Sequence, residues 1–226
     1  MENIKHNLKK IIRECLDEMF CEEYIEEMAY PESFNFEEFK KIKSFAGKQK
    51  YAKQHLLGKV GAGTSRAVFR VDDEKVIKIA LNEKGLAQNS AESEGYKQNY
   101  DAIARVFDVD QDDMWIEMEM AKRVSPKRFK ELTGFNVEDL TAWLPSIRGI
   151  GGYGKVKDLS EFEFAEDLRE FVEDYYYPVP GDFVKINTYG EVLRNGVPKI
   201  VVVDFGYDNN TAETYKKSYK KAYTWK

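Results

Sequence analysis

Five polar side chains in this sequence could together bind a phosphorylated ligand and a metal ion: Lys78, Glu92, Asp182, Asn187 and Asp204. One carboxylate and one amide oxygen suit Mg²⁺ when phosphate oxygens and water complete its shell. A second carboxylate can accept the proton of a hydroxyl group, and a lysine can neutralise phosphate charge. Phosphoryl transfer asks a protein for these contributions, which are positioning, charge neutralisation and orientation of the acceptor.

Lys78 lies in the run "VIKIA", which alternates like a β-strand and follows the glycine-rich stretch "GAGTSRAV". This pattern predicts a glycine loop held between antiparallel strands. Gly61 and Gly63 would let the backbone approach phosphates closely, although Gly-x-Gly also occurs in many ordinary hairpins. A lysine under such a loop could reach the same phosphates. A solvated lysine at a sheet edge is the alternative.

The helical segment downstream offers Glu92 and Glu94 as partners for this lysine. The face of Glu92 also carries Tyr96, a large aromatic that would pack inward, whereas Glu94 shares its face with the polar Gln98. The pattern therefore favours Glu92. The alternative is that both acids lie on an exposed helix surface.

The remaining groups surround a predicted hairpin. Asp182 and Asn187 belong to "GDFVKIN", and Asp204 follows the apolar run "KIVVV". Between them, Asn195-Gly196 is a strong signal for a tight turn between two strands. We expect this turn to fold the chain back so that Asp204 can act with Asp182 and Asn187.

In this order the motifs resemble those of the protein-kinase-like superfamily. "LGKVGAGTSRAV" is similar to its glycine-rich loop, "VIKIA" to its lysine strand and "AESEGY" to the helix with its glutamate. "WIEMEMA" resembles its hinge, "GDFVKIN" its catalytic loop and "VVVDFG" its metal-binding turn. The resemblance covers residues 56–206, and the order of the motifs is more specific than any one of them.

The resemblance implies ATP and Mg²⁺ as cofactors and gives each polar residue a role. Lys78 would hold the α and β phosphates and pair with Glu92. Asp204 would be the main Mg²⁺ ligand and Asn187 the second. Asp182 would be the base or the group that orients the acceptor hydroxyl.

The same resemblance implies an adenine pocket. Gly61, Gly63 and Val68 would line it on the side of the glycine loop. Met118 would be the gatekeeper beside the adenine, and the backbone of Glu119 and Ala121 would hydrogen-bond the base.

Three features depart from the usual pattern. Arg66 replaces the third glycine of the loop, which would stiffen the hairpin tip or add a charge near the phosphates. Gly181-Asp182 replaces His-Arg-Asp and is closer to aminoglycoside and choline kinases, and Lys185 lies three rather than two residues after Asp182. After Gly206 only "YDNNTAETYKKSYKKAYTWK" follows, which predicts a chain without the activation segment and distal helices, similar to short kinase-like chains of bacteria and phages.

The predicted fold class is α+β, a two-lobed kinase-like fold of reduced size. We expect a helical extension over residues 1–50, a small antiparallel sheet and hinge over 51–121, and a reduced, mostly helical lobe over 122–226. The extension could cap the small lobe, buttress the large one or contact a protein partner. Its second helix should begin near Asn35 and end before Gly47.

A further helix is predicted over "EFEFAEDLREFVEDYYY", with Ser160 and Glu163 as a capping box. The stretch "GIGGYGK" has P-loop spacing, but Val156 stands where Ser or Thr should bind Mg²⁺, so we interpret it as a loop. Tyrosines at 215, 219 and 223 alternate with lysines, which favours a packed tyrosine face over a nucleic-acid patch.

Composition excludes several other functions. The formal net charge of −5 argues against general nucleic-acid binding, and the sequence has no apolar run long enough for a membrane span or signal peptide, which favours the cytoplasm. The two histidines lie far from the other polar candidates, and Cys15 and Cys21 have no zinc or disulfide spacing.

The leading functional prediction is ATP- and Mg²⁺-dependent phosphate transfer to a hydroxyl of a protein or a small molecule. Two alternatives stay open. One is a pseudokinase that binds nucleotide or a protein partner without transfer, and the other is AMP transfer by the same groups.

Overall fold

The computed structural model describes residues 30–96, 100–147, 156–174 and 183–206, except for the side chains of residues 95, 96 and 174. Within these ranges, no helix has the length and apolar character needed to cross a membrane. Residues 1–29 of the predicted helical extension lie outside the described residues, as do the P-loop-like stretch 149–155 and the tyrosines of 215–223.

Two helices precede the first strand. Helix α1 (Phe36–Lys41) begins where the sequence predicts, with the Asn35 side chain accepting from the Glu38 N–H. Helix α2 (Phe45–His55) follows, capped by Ser44, whose side chain accepts from the Gly47 N–H. The prediction that one helix ends before Gly47 is wrong, because Gly47 lies in the first turn of α2, where a Cβ would come within 2.6 Å of Ser44 Oγ.

A five-stranded antiparallel sheet comes next, with the order β1-β2-β3-β5-β4. Its strands are β1 (Lys59–Ala62), β2 (Arg66–Arg70), β3 (Lys75–Ala80), β4 (Val106–Val109) and β5 (Trp115–Glu119). The predicted glycine hairpin is therefore β1–β2, and the predicted lysine strand is β3. Strand β4 was not predicted from the sequence.

The two faces of this sheet belong to different cores, because successive side chains of a strand point to opposite faces. Ile77 and Ile79 of β3 pack with Trp115 and the aromatic residues of α1 and the preceding segment. Phe36 contacts Trp115 edge-on, with ring centroids 5.1 Å apart. The described part of the N-terminal extension thus covers one face of the small sheet, and α2 crosses the boundary predicted between residues 50 and 51.

Helix α3 (Glu83–Tyr96) follows β3 and packs against the hairpin tip. Gly85 makes this close approach possible, because a Cβ there would lie 2.3 Å from the Ser65 carbonyl oxygen. The Ser65 hydroxyl also donates to Gln88 Oε1 at 2.5 Å. The sequence-based assignment of this segment to a helix is confirmed.

The C-terminal part combines helices with a second sheet. The helices are α4 (Pro126–Thr133), a 3₁₀ turn (Val137–Asp139), α5 (Leu140–Ile147) and α6 (Glu163–Asp174). The three-stranded sheet has the order β6-β7-β8, formed by β6 (Lys122–Arg123), β7 (Tyr189–Arg194) and β8 (Val197–Val202). The β7–β8 turn is the predicted one, and Asn195 and Gly196 take φ values of 53° and 75° there, in the left-handed region.

The capping box predicted at Ser160 and Glu163 is wrong. Both the N–H and the hydroxyl of Ser160 instead donate to Asp158 Oδ1, at 3.0 and 2.6 Å. Helix α6 begins at Glu163, and the Glu166 N–H donates to the carbonyl of Phe162. The Ser160 side chain binds the Asp158 carboxylate, only two residues away, and does not cap the N-terminus of the helix.

The two sheets are joined by direct hydrogen bonds. The Ala104 N–H donates to the Val202 carbonyl at 2.9 Å, and the Val202 N–H donates to the Ala102 carbonyl at 2.8 Å. The buried Arg194 of β7 donates to Glu119 Oε2 of β5 at 2.7 Å. The β7–β8 hairpin is thereby fixed beside the small sheet at its open end by Val202 and near its turn by Arg194.

Candidate active site

The glycine hairpin lies at one edge of the site and is anchored by α3. The Gly63 N–H donates to the Arg66 carbonyl at 2.9 Å across the turn, and Asn82 Nδ2 donates to the Thr64 carbonyl at 3.0 Å. A Cβ at Gly63 would meet no described atom within 4 Å, and one at Gly61 would make only an ordinary contact with Val68 at 3.6 Å. Packing among the described residues therefore does not require glycine at either position.

Lys78 pairs with Glu92 across the interface between β3 and α3. Lys78 Nζ lies 2.8 Å from Glu92 Oε2, and both side chains are buried. Lys78 Nζ also donates to the carbonyl oxygen of Val203 at 2.7 Å. Glu92 is thus the carboxylate that contacts Lys78, whereas Glu94 is exposed on the same helix.

Glu92 binds a second cation, Arg66, which sequence analysis did not predict as its partner. Arg66 Nη2 lies 2.9 Å from Glu92 Oε1, and Arg66 Nη1 lies 3.4 Å from Asn89 Oδ1. Burial raises the pKa of Glu92, but Arg66 and Lys78 lower it by more, so its pKa lies below the ordinary value and the carboxylate is charged. Burial lowers the pKa of Lys78, and the charge of Glu92 opposes that change.

Asp204 contacts the same arginine. Arg66 Nη2 lies 2.8 Å from Asp204 Oδ1, and the Asp204 side chain is 62% exposed while that of Arg66 is 8% exposed. The sequence left two expectations for Arg66, a stiffer hairpin tip or an added charge near the phosphates, and the structure shows where this charge lies. Arg66 begins β2, and its side chain points from the strand toward α3 and the end of β8.

Asn187 and Asp204 flank the open end of the β7–β8 hairpin. Tyr189 of β7 pairs with Val202 of β8, and the Val203 N–H donates to the Thr188 carbonyl at 2.8 Å. Asn187 and Asp204 come just beyond these pairs, one on each side of the hairpin end. Asn187 lies in a 3₁₀ turn (Ile186–Thr188), and both residues are exposed.

Gly206 holds the segment after Asp204 against α3. A Cβ at Gly206 would lie 2.7 Å from the Gln88 carbonyl oxygen. Phe205, between them, is buried in the larger core and meets Phe171 edge-on at 5.6 Å. The carboxylate of Asp204 is thus presented at the surface by two buried neighbours.

Of the residues predicted to surround adenine, Val68 and Met118 share one face of the small sheet. Val68 is the cross-strand partner of Lys78, and Val76 is the partner of Met118. The Glu119 N–H already donates to the Arg105 carbonyl at 2.8 Å, so a backbone contribution of Glu119 to the base would use its carbonyl. Ala121 approaches β7 closely, since a Cβ at Gly190 would lie 2.5 Å from Ala121 Cβ.

Asp182, the predicted base, lies outside the described residues. Sequence analysis gave Arg66 no carboxylate partner, although strand alternation could have indicated one, because Arg66 lies two positions before Val68 and so faces the same side as Lys78. Asn89 is fully buried, and its amide donates to the Asp113 carbonyl at 2.8 Å. Its helical spacing from Glu92 is the one sequence signal for it.

The donors at the hairpin end fit Mg²⁺ chemically. Asp204 offers an exposed carboxylate and Asn187 an amide oxygen, and Mg²⁺ commonly takes one or two protein oxygens and completes its shell with phosphates and water. Over the described ranges, no three His, Cys, Asp or Glu side chains cluster in a way that could hold a metal ion by themselves. A cation here would therefore depend on ligands from outside these side chains.

Comparison with known proteins gives the following. No protein-family model matches the sequence, and no curated protein matches it. Among solved structures, the chain is similar to the streptomycin–ATP–APH(2")-IIa ternary complex, with 13% sequence identity and a TM-score of 0.31 over 73% of this chain and 71% of that one.

Proposed function

We propose that this protein is an ATP- and Mg²⁺-dependent phosphotransferase with a kinase-like fold, acting on a hydroxyl of a protein or small molecule. The observation that carries the proposal is the pair of contacts made by Lys78. Its ammonium binds Glu92 at 2.8 Å and the carbonyl oxygen of Val203, the residue before Asp204, at 2.7 Å. A buried, paired lysine next to an exposed carboxylate is what a phosphate chain with its metal requires.

In this proposal each group has one task. Lys78 neutralises phosphate oxygens and Glu92 fixes its position, which costs little reorganisation because both are already buried and paired. Asp204 and Asn187 would hold Mg²⁺, which supplies positive charge to the phosphates when bound. Asp182 would orient the acceptor hydroxyl and take its proton.

The adenine would lie against the face that carries Val68, Met118 and the backbone of Glu119 and Ala121. The open space at Gly61 and Gly63 supports a phosphate site beneath the hairpin. Glycine is costly in backbone entropy, and here it is demanded neither by packing among the described residues nor by a left-handed φ. A ligand that approaches the backbone closely would explain both.

A second candidate is a pseudokinase, a nucleotide-binding module without transfer. The contact that favours it is Arg66 Nη2 with Asp204 Oδ1 at 2.8 Å, because a guanidinium there competes with a metal ion for the carboxylate. The two candidates share the nucleotide site and differ in turnover.

ATP labelled separately at the γ and α positions tests the proposal. The purified protein is incubated with each label, Mg²⁺ and a panel of hydroxyl-bearing acceptors, including the protein itself. Transfer of γ label, lost in Asp204→Asn, is the expected result. Transfer of α label would establish AMP transfer instead, and nucleotide binding without transfer of either label would establish the pseudokinase.

A further inference from the structure

Arg66 is a cation that the three-group arrangement of lysine, glutamate and aspartate does not contain. Its guanidinium bridges the two acids, with Nη2 at 2.9 Å from Glu92 Oε1 and at 2.8 Å from Asp204 Oδ1. Lys78 occupies the other oxygen of Glu92. Arg66 and Lys78 therefore stand side by side, one on each oxygen of a single buried carboxylate.

The charge count of the site changes with this residue. Lys78, Glu92 and Asp204 alone sum to −1, whereas with Arg66 they sum to zero. A polyanion such as a phosphate chain is repelled less by the second arrangement, and inside a partly buried site the difference is screened weakly. The site as built can thus accept phosphate charge with less help from a bound metal ion.

The two sides of the guanidinium are not equivalent. Glu92 and Asn89 are both fully buried and hold it from the side of α3. Asp204 holds it from the outside and is 62% exposed. If the Asp204 side chain turns away toward a ligand, the N–H of Nη2 that faces Asp204 loses its partner, while the contacts of Arg66 with Glu92 and Asn89 stay in place.

The position of Arg66 in the hairpin brings it to the phosphates proposed above. Its carbonyl accepts from the Gly63 N–H at 2.9 Å, so it closes the glycine turn. It also faces the same side of the sheet as Val68 and Lys78, because Val68 pairs with Lys78 and Arg66 lies two residues before Val68.

We propose that Arg66 is a second phosphate-binding cation of this site, which exchanges the carboxylate of Asp204 for the phosphate chain of a bound nucleotide. The inference rests on the proposed nucleotide-binding function and deepens it. A guanidinium suits this exchange because it binds carboxylate and phosphate oxygens with the same geometry. Nucleotide affinity then depends less steeply on Mg²⁺ than it would with glycine at this position.

The test measures the dissociation constants of ADP and adenosine by calorimetry, in Mg²⁺ and in EDTA, for the wild type, Arg66→Gln and Arg70→Gln. Arg70 is the matched control, since it lies on the same strand but donates to Asp72 and Asp73 in the turn. We expect Arg66→Gln to weaken ADP binding about tenfold or more, the size of one lost charge-assisted contact. The weakening should be larger in EDTA than in Mg²⁺. The affinity of Arg66→Gln for adenosine and the affinity of Arg70→Gln for ADP should equal those of the wild type.

Two results would overturn the inference while leaving the proposed function intact. Tighter binding of ADP to Arg66→Gln in Mg²⁺ would make the arginine a latch that blocks Asp204, and unchanged binding would make it structural. If the wild type binds ADP in neither condition, the proposed function itself fails.

A second variant covers the case in which Arg66→Gln does not fold. In EDTA, Asp204→Asn should bind ADP more tightly than the wild type, because the guanidinium no longer has to leave a charged partner. Equal or weaker binding of metal-free ADP by Asp204→Asn would contradict the exchange.

Discussion

The ammonium of Lys78 donates to the carbonyl oxygen of Val203 at 2.7 Å, across 125 positions of the sequence. This contact ties the third strand of the small sheet to the residue before Asp204. The bond places the ammonium of Lys78 one residue away from the exposed carboxylate of Asp204. We therefore expect substitutions of Lys78 or Asp204 to weaken the proposed nucleotide binding.

Replacing Lys78 should abolish most phosphate transfer. Lys78→Met should lower the rate of γ-phosphate transfer by about 10²–10³-fold, the usual cost of losing a preorganised electrostatic group. Initial rates with labelled ATP measure this. Lys75→Met is the matched control, because Lys75 lies on the same strand but contacts Glu117 at 3.1 Å. Similar losses in both variants would contradict the assignment.

Removing the charge of Asp204 should remove the effect of Mg²⁺ on the affinity for ATP. The affinity of the wild type for ATP should rise when Mg²⁺ is added. Asp204→Asn should bind ATP equally with and without Mg²⁺, because the main protein ligand of the metal ion has been removed. Calorimetric titration in Mg²⁺ and in EDTA gives both constants. A Mg²⁺ effect of wild-type size in the variant would show that the cation binds elsewhere.

Gly63→Ala separates a ligand-binding role of the hairpin from a structural one. A Cβ at Gly63 would meet no described atom within 4 Å, so we expect the free energy of unfolding to change by less than about 0.5 kcal/mol. ATP affinity should fall by about fivefold or more, because the new methyl group stands where phosphates would approach the backbone. Thermal unfolding and ATP titration are measured on the same sample, and full affinity would show that ATP does not approach Gly63.

Gly206→Ala, unlike Gly63→Ala, should lower the free energy of unfolding. A Cβ at Gly206 would lie 2.7 Å from the Gln88 carbonyl oxygen, so α3 or the segment after Asp204 must move. We expect a loss of about 1–3 kcal/mol in the free energy of unfolding, as for other overpacked positions. Urea denaturation measures it, with Gly63→Ala as the matched glycine variant, and a loss no larger than that of Gly63→Ala would refute the close contact.

The ion pair of Arg128 and Glu191 should make the free energy of unfolding depend on pH in the acidic range. The guanidinium donates to both Glu191 oxygens at 2.8 Å and holds the pKa of Glu191 below its ordinary value. Because the folded pKa is lowered, this stabilisation is complete above the unfolded pKa of about 4.3 and is lost as the pH falls through the folded value.

Glu191→Gln should therefore be less stable than the wild type at pH 7, with the difference shrinking as the pH falls below 4. Denaturation at a series of pH values measures this, and Arg128→Gln should lose about as much as Glu191→Gln. A difference that grows on acidification would have the wrong sign for this pair.

Local patterns in the sequence predicted the elements whose physics is local. The Asn195-Gly196 turn requires two residues that tolerate positive φ, and the pairing of β2 with β3 follows from alternation on both sides of a short turn. The choice of Glu92 as the partner of Lys78 also came from a local feature, the face of a helix. Strand β4 escaped prediction because its two middle residues, Phe107 and Asp108, are both exposed, which breaks the alternation.

Local competition explains the two wrong helix boundaries. Gly47 was interpreted as a helix end, but the side chain of Ser44 caps a new helix and leaves room only for glycine in its first turn. Ser160 was interpreted as a cap, but the nearer carboxylate of Asp158 takes its hydroxyl. In each case the composition was right for a helix terminus, and a neighbouring side chain decided where the terminus lies.

The sequence by itself determined which groups are available for the proposed chemistry, because residue types and their order along the chain are enough to indicate a lysine, an acid pair and a glycine loop. The tertiary structure alone decided which of these groups touch. Arg66 and Asp204 are 138 positions apart, and neither has a local pattern that points to the other. Their contact exists because α3 packs on the small sheet and the chain after β8 lies against α3 at Gln88. Such long-range packing leaves no mark on short-range periodicity.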